Sequence, residues 1–98
     1  MYTIRLLDIA IEELQEAFNW YQEQRPDLGY DLIDEVNDYL KQVELNPHQF
    51  VVKFAKRYHH ATLKIFPYQI IYRVDENKKL VQVYSIFHTS RRPKRYKK

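Results

Sequence analysis

Four histidines, nine tyrosines and sixteen Lys/Arg residues hold most of the chemistry open to this 98-residue chain. RNA cleavage needs a base for a 2′-hydroxyl, an acid for the leaving 5′-oxygen, and cations for the charge that builds on phosphorus. His60, His88 and Tyr96 are of the type that carries protons. Arg73, Arg91, Arg92 and Arg95 are of the type that holds the phosphate. Each has a plainer reading. His59 and His60 fit a sheet edge in contact with solvent, His88 a local hydrogen bond at a strand end, and Tyr96 an anchor for the tail. Tyrosine and arginine together also suit binding without catalysis, because both are enriched at interface hot spots. Arg57, Arg73, Arg91, Arg92, Lys94 and Arg95 are accordingly candidate contacts to a target, a nucleic acid or a protein partner.

Other chemistries find little support. The chain has no cysteine, so thiolate nucleophiles, thiolate metal sites and disulfides are excluded. His59 and His60 are adjacent, so on a strand they point to opposite faces and cannot chelate one ion together. No metal and no cofactor are expected. Ser85 and Ser90 lack the strained turn that activates a serine nucleophile. A phosphate-cradling loop needs several glycines, and Gly29 is the only one.

Charge divides the chain. Residues 1–49 carry three Lys/Arg against eleven carboxylates, and residues 50–98 carry thirteen against two. One acidic face and one basic face on a single domain, residues 1–98, is the expected result. A basic face attracts polyanions or an acidic protein segment; two solvated faces are the alternative. The apolar runs are too short to span a membrane. Residues 1–8 lack the charged start and long apolar stretch of a signal peptide, so a cytoplasmic protein with no membrane partner is expected.

The elements that must position these residues follow from periodicity. Residues 2–7 (YTIRLL) alternate as a short strand. Asp8 has the type of a helix N-cap. Ala10, Leu14, Ala17, Phe18 and Tyr21 form one face of a helix over residues 9–24, with Glu12, Glu13, Glu16 and Glu23 toward water. Pro26 ends it. After a short connection at Asp27-Leu28-Gly29, a second helix over 30–45 carries Leu32, Ile33, Val36, Tyr39, Leu40 and Val43, and Asn46-Pro47 stops it. So short a connection packs the two helices antiparallel. The period then changes to two. Strands are expected at 50–54, 61–66, 68–74 and 80–87, with a polar hairpin loop at 75–79. The expected fold is α+β: an N-terminal strand, then an antiparallel α-hairpin on one face of an antiparallel sheet of about four strands. The opposite face is left concave, partly polar and edged by basic residues. The tail at 91–98 holds six cationic side chains in eight residues.

Three runs taken in order resemble the RelE/ParE superfamily of bacterial toxins: FPYQIIYRV at 66–74, VQVYSIFH at 81–88 and RRP at 91–93. Ala10 with Glu13-Leu14, Trp20-Tyr21, Pro26 with Leu28-Gly29, and Asn46-Pro47 agree with it. The resemblance implies a toxin of a type II toxin–antitoxin system with a helical hairpin on a sheet. It implies growth inhibition, a role in plasmid stabilization, and neutralisation by a cognate antitoxin whose segment wraps the toxin. Operator DNA would be met only through that antitoxin. RelE-like members cut messenger RNA on the ribosome with lysines, arginines and often a terminal tyrosine, whereas ParE-like members block DNA gyrase. Here Gln69 follows Tyr68, His60 and Thr62 stand where the lysine pair is expected, and Ser90 falls near the expected later arginine. Tyr96 matches the RelE pattern, while His88, Arg91 and Pro93 resemble the ParE ending. Three readings follow: a gyrase-blocking toxin, which is favoured; an mRNA endoribonuclease using His60, His88 and Tyr96; and an antitoxin-binding module that has lost toxicity.

Overall fold

The computed structural model describes residues 1–53 and 57–90. Their element order is β1 (Thr3–Leu6), α1 (Asp8–Gln24), α2 (Leu28–Leu45), β2 (Val51–Lys53), β3 (Tyr58–Thr62), β4 (Tyr68–Asp75) and β5 (Leu80–His88). The strands form one five-stranded sheet in the order β1-β5-β4-β3-β2. Neighbours from β5 to β2 run antiparallel, as expected of strands joined by short connections. The first strand departs from expectation. It joins the sheet as an edge, parallel to β5, with Thr3 opposite Leu80 and Leu6 opposite Val83. Parallel neighbours need a long crossover. Here the whole chain between them supplies it, so the sheet is mixed and has five strands rather than about four.

The helical hairpin covers one face. Ala10 and Ala17 of α1 and Leu32, Val36 and Val43 of α2 pack on Ala61, Ile70, Tyr72, Val81, Val83 and Ile86. All of these are buried. Period-3.6 apolar positions meeting period-2 apolar positions is what binds the two layers.

Three local expectations are corrected. Asp8 is the first residue of α1, not its cap; the N-cap is Leu7, which makes no side-chain cap bond. Its N–H is already committed to the Val83 carbonyl at 3.0 Å, so the chain turns straight from strand to helix. Glu13 does not face open water. It accepts from the Ser85 hydroxyl at 2.6 Å and the Ile86 N–H at 2.9 Å. The carboxylate thereby caps β5 beyond the end of β1, where a backbone donor would otherwise lie unpaired. Third, the alternation at 61–66 predicts a strand, yet β3 stops at Thr62. Buried Glu35 of α2 accepts from three consecutive amides, Lys64 at 2.9 Å, Ile65 at 2.8 Å and Phe66 at 2.9 Å. Those donors are turned toward the helix and cannot enter a ladder.

Candidate functional site

Cross-strand partners share a face, so the register sorts the candidate residues. His59 pairs with Tyr72, and Tyr72 with Val83, all on the helix face. His60 pairs with Ile71 on the face away from the helices. Tyr68 pairs with His88. Tyr68 touches Tyr21 of α1, with ring centroids 6.2 Å apart, so His88 lies on the helix face. A β-bulge at Tyr84 separates Ile71–Ser85 from Tyr72–Val83 and restores Ile86 to the core. His60 and His88 therefore stand on opposite faces of the sheet. The described residues do not bring the two together as an acid–base pair.

Each histidine has a definite setting. The expectation that His59 and His60 sit at a solvent edge is overturned, because both are buried. Strand β2 lies outside β3 and makes it an interior strand. His59 stacks on Tyr72, with centroids 4.9 Å apart and planes at 9°. Its Nδ1 lies 2.9 Å from the Phe50 carbonyl, which can only accept, so Nδ1 carries a hydrogen. His88 is half-buried with its ring edge-on to Tyr68 at 5.2 Å. Its Nδ1 accepts from the Ser90 N–H at 3.0 Å, the local strand-end bond expected of it.

The face away from the helices gathers a different set. The Arg73 guanidinium lies 5.9 Å over the Tyr58 ring, within cation–π range. Tyr58 in turn meets Tyr84 edge-to-face at 5.2 Å. Tyr84 reaches this position because the bulge adds a residue to β5. Arg57 is exposed immediately before β3. One of the predicted cations, Arg73, thus lies over an aromatic ring that meets a second ring on the sheet, an arrangement suited to binding an anionic or planar group. Arg91, Arg92, Lys94, Arg95 and Tyr96 lie outside the described residues. Among the described residues, no group of three or more His, Asp or Glu side chains is placed to hold a metal ion.

A second polar cluster escaped sequence reasoning. Tyr2, His48, Glu76 and Lys79 meet at the other end of the sheet. The Tyr2 hydroxyl donates to Glu76 at 2.8 and 3.1 Å, His48 Nε2 contacts the same carboxylate, and Lys79 Nζ lies 3.5 Å from it. These residues come from three distant segments, so no local signal marks them. The Tyr2 hydrogen bond, and after it the His48 contact, holds the Glu76 carboxyl below its ordinary range, while the same bond raises the Tyr2 phenol. Deeper in, Tyr72 donates to the Pro47 carbonyl at 2.6 Å, and burial pushes its phenol well above the usual value.

A depressed carboxyl stabilises the fold above its unfolded pKa, and that stability is lost as pH falls through the folded pKa. Melting temperature should therefore drop more steeply for the wild type than for Glu76→Gln as pH is lowered from 6 to 3 (about the carboxylate range). Parallel melting curves against pH would refute a role for the cluster in acid stability.

Comparison with known proteins places this fold. The family described as ParE toxin of type II toxin–antitoxin system, parDE, matches residues 4–93. The chain belongs to the ParE toxin family. It is thereby a toxin of the type II toxin–antitoxin class within the RelE/ParE superfamily. The ParE fold also matches solved structures. The chromosomal ParDE toxin–antitoxin system from P. aeruginosa aligns with a TM-score of 0.76 at 16% identity, over 90% of this chain and 96% of that one. The isolated E. coli RelE toxin aligns at 0.70 and 18%, over 98% and 92%. A chain of the intact E. coli RelBE toxin–antitoxin complex aligns at 0.72 and 18%, over 93% and 100%. No curated protein matches significantly in sequence. Among the described residues, no helix of this ParE-family chain is long and apolar enough to cross a membrane.

Proposed function

We propose that this ParE-family protein inhibits DNA gyrase without itself being an enzyme, and that a cognate antitoxin encoded beside it keeps it inactive. Separation of His60 and His88 onto opposite sheet faces is the observation that carries the choice of target. General acid–base cleavage needs both proton carriers within reach of one phosphate, and the sheet itself stands between these two. The family match over residues 4–93 supports the same reading. In this account Arg57 and Arg73, with Arg91, Arg92, Lys94 and Arg95, contact the target or the antitoxin. Operator DNA is met through the antitoxin. The protein acts in the cytoplasm, where both target and antitoxin are made.

The test is supercoiling of relaxed plasmid by purified gyrase. Activity should be abolished at saturating protein and restored by the product of the adjacent reading frame. Induction of the protein alone should arrest growth. Undiminished supercoiling at saturation overturns the proposal. The RelE-like reading has one specific support, the alignment with E. coli RelE over 98% of this chain. It predicts new mRNA 5′ ends in induced cells and loss of toxicity on alanine substitution of His60, His88 and Tyr96.

A further inference from the structure

An isoleucine exposed to water is ordinary on a protein surface. Ile65 differs in how it is held. It is 78% exposed, more than any other large apolar side chain among the described residues except Met1. Yet its backbone is fixed. The Ile65 N–H donates to Glu35 at 2.8 Å, and the Lys64 and Phe66 N–H groups donate to the same carboxylate. The Leu63 N–H donates to the Tyr68 carbonyl at 2.9 Å, and the Tyr68 N–H to the Phe66 carbonyl at 2.8 Å. Leu63 and Phe66 are buried on either side. A buried carboxylate thus holds a tight loop from which an apolar side chain projects.

Other binding groups collect at the same end of the molecule. Phe66 meets Tyr21 with ring centroids 5.0 Å apart, and Tyr21 meets Trp20 at 4.9 Å. Trp20 is itself 55% exposed. Lys64 is exposed beside Ile65. Thr89 donates to the Pro67 carbonyl through its N–H at 2.8 Å and its hydroxyl at 3.2 Å, so β5 ends against this loop. The cationic sequence 91–98 begins two residues further on.

An apolar anchor on a fixed backbone suits a preformed protein pocket, because little conformational freedom is lost when it docks. A phosphate backbone offers an isoleucine nothing, so nucleic acid is a poor occupant. A second copy would bring like charges, Lys64 and the cationic sequence of each chain, together across a two-fold axis. Carboxylates at the rim of a pocket meet those same cations favourably.

We infer that Ile65 anchors this protein to its target protein by entering an apolar pocket whose rim carries carboxylates facing Lys64. This deepens the proposed function and rests on it for the identity of that target, gyrase.

The full chain is titrated into the supercoiling reaction as wild type, Ile65→Ser, Ile65→Val, Lys64→Glu and a control at another exposed isoleucine, Ile11→Ser. All three positions are exposed, and circular dichroism checks that each variant folds. Ile65→Ser should raise the half-inhibitory concentration by about tenfold or more, and Ile65→Val, one methylene shorter, by no more than about fourfold. Lys64→Glu should raise it by about threefold or more at low salt, and Ile11→Ser by no more than about twofold. Affinity of Ile65→Ser for the product of the adjacent reading frame should equal that of the wild type. Inhibition by Ile65→Ser equal to wild type overturns the anchor and leaves the gyrase reading standing. A parallel loss of affinity for the adjacent product would seat the antitoxin on Ile65 and overturn the assignment. So would a wild-type dimer that Ile65→Ser dissociates. Wild-type protein that leaves supercoiling undiminished overturns the proposed function and the anchor with it.

Discussion

Replacing Glu35 with alanine should cost the fold about 3 kcal/mol and lower the melting temperature by about 10–20 °C. Glu35 is 8% exposed and accepts from three successive amides, 64–66, each within 2.9 Å. Bonds to an ionised acceptor are roughly twice as strong as neutral ones. Removing the acceptor leaves the Phe66 N–H, itself in buried surroundings, with no partner. Glu35→Gln keeps one carbonyl oxygen but turns an amide donor toward other donors, so its cost should fall between wild type and alanine. The segment these bonds hold joins β3 to β4, which carry Tyr58 and Arg73. Loosening it should disturb the cation–aromatic cluster on the face away from the helices as well as stability. Thermal unfolding of the three proteins decides the matter, and an alanine variant melting within about 3 °C of wild type would show that the carboxylate contributes little.

Gly29→Ala should cost about 2 kcal/mol, although alanine is the better helix former. Gly29 lies in the first turn of α2, not in the connection where sequence reading puts it. Its φ is not positive, so no special backbone conformation requires glycine there. Proximity does. A Cβ at this position would lie 2.7 Å from Phe18 Cδ1 and Gln22 Cγ and 2.8 Å from the Phe18 carbonyl oxygen. Gln22 and the Phe18 ring can swing aside, but the carbonyl belongs to α1 and moves only with that helix. The Gly29 N–H also donates to Gln22 Oε1 at 2.8 Å, a bond lost if Gln22 moves. Denaturant unfolding should show a lower midpoint with an unchanged slope. A midpoint equal to or above wild type would mean that the helices separate without penalty.

What sequence pattern reveals here is local. Ala10, Ala17, Val36 and Val43 mark the buried helix faces by spacing alone, and all four are buried. Strands β4 and β5 announce themselves by composition, and the polar run between them is the hairpin loop. What escaped depends on residues far apart in the chain. The end of β3 at Thr62 is dictated by Glu35, and Glu35 reads as one more carboxylate on an acidic helix. The parallel seat of β1 is invisible because YTIRLL specifies a strand but not its neighbour. For the candidate site, residue types were legible and positions were not. His60 and His88 look equivalent in sequence, and only the pairing of β3 with β4 and of β4 with β5 shows that they face apart. The bulge that carries Tyr84 to Tyr58 has no glycine to betray it.

Parallel pairing of β1 with β5 also governs when the native state can be reached during synthesis. Thr3 leaves the ribosome long before Leu80, its partner. The helical hairpin can gather while translation continues, but the outermost strand has no seat until β5 has cleared the exit tunnel. The sheet of a nascent chain therefore closes only once β5 is available, and the surface built on β1 appears in that one step.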